Sequence, residues 1–208
     1  DLIKYAEKNN IPIPKDKKGA PPFSIDDNIF HTSTEGKVLE NPKNSAPEFI
    51  FQRTVSLKKA PNKTTRITIS FKNGDPIAMN GKKLSPEKLL DKLNDVAGKN
   101  GIGRVDLVEN RFIGIKSRGV YETPGGTILY SAHRAMESVT LDKETAHAKE
   151  RIMPAYAELV YNGYWDSKER FKLQKIVDLK KNKVNGSVKL KLYKGNVTIE
   201  SRQTKSFA

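Results

Sequence analysis

Apolar residues along this chain recur with the two periods that mark helices and half-buried strands. From Ser85 onward, Leu89, Leu90, Leu93, Val96 and Ala97 fall on one helical face. Ser85 sits at the N-cap position, Pro86 opens the helix and Gly98 is expected to end it. Thr123-Pro124 introduces a second helix carrying Ile128, Leu129, Ala132, Ala135, Met136 and Val139. A third runs from about Lys143 to Tyr161, with Tyr156, Leu159 and Val160 towards the core and a kink expected at Pro154. Gly163 to Asp166 reads as a turn with a packed Trp165. Residues 167–181 follow as a basic amphipathic helix with Phe171, Leu173, Ile176 and Val177.

Period-two alternation predicts strands elsewhere. Arg66 to Phe71 alternates, Asn73-Gly74-Asp75 turns, and Pro76 to Met79 returns before a second turn at Asn80-Gly81. Ser187 to Tyr193 and Val197 to Ser201 flank Lys194-Gly195-Asn196 as another hairpin. Residues 47–57 give a further strand candidate (Phe49, Phe51, Val55), followed by a basic turn from Lys58 to Lys63. At the start, residues 1–9 read as the tail of a helix with Leu2, Ile3 and Ala6 on one face. Ile11 to Pro14 is held extended by proline, and Lys15 to Pro22 is a polar connector. Internal repeats are absent. Antiparallel hairpins with amphipathic helices segregated after them define an α+β fold.

Two stretches depart from simple periodicity. Residues 23–42 are dense in Ser, Thr and Asp, and read most simply as a loop of self-capping turns. In residues 106–127, a strand marked by Val105 and Leu107 is expected to break at Glu109-Asn110-Arg111. It would resume as a second short strand at Phe112, Ile113 and Ile115, and end at Tyr121 to Gly126 just before a helix. Carboxylates, guanidiniums and a phenol crowded at strand ends suit a small polar ligand. A solvated strand–turn–strand is the plainer alternative. Gly125-Gly126 could cradle an anion at the helix N-terminus or mark a close backbone crossing.

Composition narrows the classes. The 208 residues suffice for one good core, or one large and one small unit. No run approaches the roughly 18 apolar residues of a membrane span, and the N-terminus lacks a signal-peptide pattern. Cysteine is absent, which excludes disulfides and thiolate chemistry. His31, His133 and His147 lack ligand spacing, so no metal site is expected. The net charge of +14 raises nucleic-acid binding, but the lysines are scattered and no RNA- or DNA-binding motif accompanies them. Nucleic acid is not the expected partner.

The runs FSIDDN, HTSTEGKVLENP, DVAGKNGIGRVDLVENRFIGIKSRGVYETPGGTILYSAHRAMES, AELVYNGYW and KLYKGNVTI resemble argininosuccinate synthase. The likeness covers nearly the whole chain and corresponds to the C-terminal part of that larger two-domain enzyme. The resemblance implies that residues 1–20 are the tail of a nucleotide-binding domain and its linker, and that 21–208 are the synthetase and multimerisation domain. It also implies a cytoplasmic homotetrameric ligase. Citrulline is activated by ATP to a citrullyl-adenylate, and aspartate then displaces AMP. The family's SGGLDT-type ATP loop does not occur in this chain. ATP and Mg2+ would therefore be bound mainly by the other domain, and the fragment alone would be inactive. Four positions match the family's citrulline contacts: Ser24, Ser33, Glu109 and Tyr121. The Glu109 carboxylate suits the α-ammonium and Tyr121 offers a phenolic donor. Glu35 is a weaker candidate in the same loop. A stand-alone citrulline- or partner-binding module without catalysis is the second reading, and a basic nucleic-acid binder the third.

Overall fold

A computed structural model describes residues 2–12 and 23–208. Helix α1 spans Leu2–Lys8, with Ala6 buried. The side chains of Leu2 and Ile3 and the connector expected over Lys15 to Pro22 lie outside the described residues.

Two antiparallel sheets organise the rest. The larger is built from β3 (Thr65–Lys72), β4 (Asp75–Met79), β5 (Lys82–Lys83), β8 (Gly186–Tyr193) and β9 (Asn196–Gln203), in the order β5-β4-β3-β8-β9. Its inner face takes alternate residues: Ile67, Ile69 and Phe71 from β3, and Val188, Leu190 and Leu192 from β8. Helices α2 (Pro86–Lys99) and α3 (Pro124–Thr140) cover that face with Leu89, Leu93, Ala97, Ile128, Ala132 and Met136. Each such aliphatic side chain contributes roughly 1.5–3 kcal/mol on full burial, so this layer supplies most of the driving force. The turns at Asn73-Gly74 and Asn80-Gly81 have positive φ at both residues, as tight hairpins with right-handed twist require. Helix α2 runs to Lys99 rather than ending at Gly98. Gly98 is instead a crossing point, where a Cβ would meet the Arg53 carbonyl oxygen at 2.1 Å.

The smaller sheet has the order β1-β2-β7-β6, from β1 (Ser24–Asp27), β2 (Thr32–Glu35), β6 (Arg104–Asn110) and β7 (Lys116–Glu122). The stretch read as self-capping turns is thus a β-hairpin. Self-capping turn chemistry survives at its bend, where Asn28 Oδ1 accepts from the amides of Phe30 and His31, and after it, where Asn41 Oδ1 accepts from the amide of Lys43. The expected break at Glu109-Asn110-Arg111 is also corrected. Strand β6 continues through Asn110, and Phe112 to Ile115 form the turn, with Gly114 at φ +84° and Ile113 75% exposed.

The strand expected over 47–57 does not form. Glu48–Ile50 is a short 3-10 turn, and the next amides are drawn out of any ladder by the buried carboxylate of Glu122. Glu122, 2% exposed, accepts from the amides of Gln52 (2.8 Å), Arg53 (3.0 Å) and Thr54 (2.9 Å), and from the Thr54 hydroxyl (2.6 Å). A buried carboxylate needs such donors, and three sequential amides supply them. Two arginines complete this underside. Arg104 forks onto Glu48 and stacks over Phe51, and Arg118 forks onto Asp106 while donating to the carbonyls of Leu39, Asn41 and Asn44.

Helices α4 (Lys143–Tyr161) and α5 (Lys168–Val177) pack against each other beside α3. Helix α4 passes through Pro154. Its Tyr156 and Leu159 are half-buried, whereas Val160, expected in the core, is exposed. Phe171 is likewise exposed, and α5 stops at Val177, short of the expected 181. Trp165 is exposed by area but stacks under the Arg170 guanidinium at 4.5 Å.

Candidate functional site

One face of the smaller sheet packs Val120 against Leu39 and Ile50, and the other bears a hollow. Strand alternation decides which residues stand on the face with the hollow. Pairing of Asp26 with Ser33, of Ser33 with Tyr121, and of Tyr121 with Val105 places them in one row across the sheet. Glu35, Gly119 and Leu107 form the next row. Residues far apart in sequence are thereby brought together by register alone.

Asp26, Ser33, Glu35, Glu109, Arg111, Gly119 and Tyr121, with Tyr161 from the end of α4, line a hollow of about 190 Å³. Complete ligand pockets typically enclose about 300–1,000 Å³, so this face has the size of part of a site. Three of the four sequence candidates, Ser33, Glu109 and Tyr121, converge here. Ser24 lies on the same face, opposite Glu35 on the edge strand, but outside the lining.

Glu109 is 17% exposed and sits at the centre of the polar contacts. The Tyr121 hydroxyl donates to its Oε2 at 2.8 Å. Tyr121 reaches that far because its ring lies over Gly119, where a Cβ would fall 2.8 Å from the ring. Burial first, and the bond to Glu109 second, push the Tyr121 phenol well above its ordinary pKa. Tyr161 is raised in the same way, by desolvation and by its own hydrogen bond to Glu109. Both phenols therefore stay protonated donors at neutral pH. Arg111 Nη2 donates to Glu35 Oε2 at 2.7 Å and to Ser117 Oγ at 3.2 Å, and its Nε is 3.8 Å from Glu109 Oε1. The hydrogen bond to Glu35 raises the guanidinium pKa further.

Among the described residues, three carboxylates against one guanidinium give the hollow a negative balance. Carboxylates and hydroxyls accept from an ammonium or an amide NH2, and the phenols also donate. That is the chemistry of an amino-acid ligand whose ammonium enters first. Asp26, Arg111, Gly119 and Tyr161 were not singled out from sequence. The i, i+2 spacing from Ser24 to Asp26, from Ser33 to Glu35 and from Gly119 to Tyr121 is the signal that groups these three pairs. Tyr161 has no local signal, because only the packing of α4 brings it near.

Two other features bear on ligand binding. Gly125 N donates to Asn94 Oδ1 at 2.9 Å, and a Cβ at Gly126 would meet the Phe30 ring at 2.7 Å. The glycine pair is thus a close crossing rather than an anion cradle. A larger cleft of about 490 Å³ between α3 and α4 is walled by Phe30, Phe71, Leu129, Ile152 and Met153. Its charged groups are already matched, Lys149 with Glu137 and Arg134 with Glu150, so it offers little to a polar ligand. Among the described residues, no group of His, Asp and Glu could hold a metal ion, and no helix is long and apolar enough to cross a membrane.

Residues 23–207 match a family model described as Arginosuccinate synthase C-terminal domain. The chain is 84% identical over 208 residues to the argininosuccinate synthase of Pelagibacter ubique, a match that covers 100% of this chain and 53% of that relative. It is 60% identical over 205 residues to the argininosuccinate synthase of Mesorhizobium japonicum, covering 99% of this chain and 50% of the relative. The figure for Bartonella bacilliformis is 58% over 205 residues, with the same coverage. The chain spans about half the length of the curated relatives it matches. By this match it belongs to the argininosuccinate synthase family, as a C-terminal portion of such a protein.

Proposed function

We propose that this chain supplies the citrulline-binding face of an ATP-dependent argininosuccinate synthase. In the proposed reaction the ureido oxygen of citrulline attacks the α-phosphorus of ATP, and pyrophosphate leaves. The aspartate amine then displaces AMP from the citrullyl-adenylate, giving argininosuccinate. Attack by so weak a nucleophile depends on positioning more than on acid–base strength.

The observation that carries the reading is the meeting of Ser33, Glu109 and Tyr121 in one negatively balanced hollow. Glu109 takes the α-ammonium, Tyr121 keeps its carboxylate aimed, and Ser33 accepts from or donates to the ligand head. Ser24 extends the same face at the sheet edge. The ureido end points away from this half, towards groups for ATP, Mg2+ and aspartate on the remainder of the polypeptide. On this reading the 208-residue chain alone is not a complete catalyst. Homotetramer assembly through this region in the cytoplasm belongs to the same proposal. Exposed Phe112, Ile113, Ile115, Tyr164 and Trp165 at the hairpin tip and the end of α4 support a covered surface there.

The test is Glu109→Gln in the full-length synthase. Losing a desolvated charge partner costs about 2–5 kcal/mol, so the citrulline KM is expected to rise at least about thirtyfold with little change in the KM for ATP. A citrulline KM equal to that of the wild type would refute the assignment.

A further inference from the structure

Among the described residues, Arg111 is the one guanidinium lining the hollow, and binding an ammonium at Glu109 does not by itself require it. Its placement is specific. It follows β6 directly, and its backbone is fixed by a closed turn: Arg111 N donates to Ile115 O at 2.8 Å, and Gly114 N donates to Arg111 O at 2.7 Å. From this base one planar group reaches three strands. Nη2 holds Glu35 on β2 and Ser117 on β7, and Nε faces Glu109 on β6. Ser117 Oγ also donates to Glu35 Oε2 at 3.4 Å, closing a small ring of contacts.

The groups facing Glu109 and Arg111 are the carboxylates of Asp26 and Glu35, the phenols of Tyr121 and Tyr161, and Glu158 in the adjoining hollow on α4. Without a cation among them, Glu35 and Glu109 would repel across one sheet face, a repulsion that the phenol holding Glu109 does not offset. An ordinary surface ion pair contributes too little to matter for a site. Holding a binding carboxylate in place does matter, because a shift of about 1 Å at a binding group can cost about a hundredfold.

We propose that Arg111 is a positioning residue that fixes Glu35 and Glu109 at a set separation, so that Glu109 meets the α-ammonium of citrulline without rearrangement. The proposal rests on the citrulline reading above. Arginine suits the role because its fork addresses two acceptors at once, whereas lysine offers a single point charge.

The experiment is steady-state kinetics of the full-length synthase carrying Arg111→Gln, Arg111→Lys, Glu35→Gln, Glu109→Gln and the Glu35→Gln/Arg111→Gln pair. Arg111→Gln is expected to raise the citrulline KM about tenfold or more, with kcat and the KM values for ATP and aspartate changed less than about threefold. Arg111→Lys is expected to recover part of that loss, a rescue that mere bulk would not produce. The double variant is expected to be no worse than the worse single one, since both act on the same carboxylate. If Arg111→Gln leaves the citrulline KM within about twofold while Glu109→Gln raises it, the positioning role is wrong and the citrulline reading stands. If Glu109→Gln is also silent, both fail. An equal loss towards all three substrates would mark Arg111 as structural and overturn the proposal. Should Arg111→Gln not fold, the Arg111→Lys variant decides by the same split between KM and kcat.

Discussion

Gly119 shows how one residue without a side chain shapes the hollow. Its missing side chain is what lets the Tyr121 ring lie flat along β7 and reach Glu109. A methyl group there would stand 2.8 Å from the ring and 3.0 Å from the hydroxyl. The obstacle is the far end of a side chain rather than backbone, so the sheet accommodates the change while the phenol moves. Gly119→Ala is therefore expected to alter stability by no more than about 1 kcal/mol in urea denaturation. In the full-length synthase the same variant should raise the citrulline KM about tenfold, by removing a donor whose bond to a carboxylate contributes about 1.5–3 kcal/mol. Unchanged kinetics would mean that the Tyr121–Glu109 bond is dispensable. The same geometry explains why Tyr121 is a reliable donor: burial and the neighbouring carboxylate both oppose loss of its proton.

At the scale of elements, the parts governed by local rules were legible in the sequence. Strand β3, its hairpin to β4, helices α2 and α3 and the closing hairpin follow from periodicity and from glycine turns. What the periodicity missed depends on distant partners. Residues 47–57 have the apolar alternation of a strand, but their amides are claimed by a carboxylate about 70 positions away. The hairpin of β1 and β2 lacks apolar alternation because one face of it is the site itself. Phe112, Ile113 and Ile115 imitate a strand while forming an exposed turn, since an apolar residue carries no sign of whether its cover belongs to another unit. Of the site, Glu109, Tyr121 and Ser33 were legible through the family likeness, whereas Arg111 and Tyr161 needed the fold. Glu122→Ala tests the long-range link. It orphans three amides and a hydroxyl and is expected to cost about 2–5 kcal/mol. Hydrogen exchange at Arg53 and Thr54 should accelerate with it. Protection equal to wild type would show that these amides find other acceptors.

Across the whole molecule, charge is paired where the two sheets and their covers meet, and this gives a two-step response to acid. His133 packs edge-on to Phe71, and its burial lowers its pKa despite Glu137 nearby. Its folded pKa is below the unfolded one, so the unfolded chain binds the proton first, and stability starts to fall as pH drops below about 6.5. The hydrogen bonds from Arg118 to Asp106 and from Arg104 to Glu48 hold those carboxyls below their ordinary range. Asp142, bonded to Lys180 and Thr145, is depressed further. Their contribution is complete above about pH 5 and is lost as pH falls through the unfolded and then the lower folded values. Urea midpoints measured from about pH 7 to about pH 3 are expected to fall in two stages. His133→Gln should flatten the first stage and Asp106→Asn should shrink the second. A single stage unaffected by His133→Gln would contradict the assignment.

Tyr121 and Glu122 are neighbours on β7, yet one faces the polar hollow and the other an interior lined with amides. A strand that paired one position out of step would exchange them. The site would then receive a fourth carboxylate in place of its phenol, and the interior would receive an aromatic ring where three amides await an acceptor. Such a mispaired sheet is penalised on both faces at once. The alignment that satisfies Glu122 is thus the alignment that presents Tyr121 to Glu109.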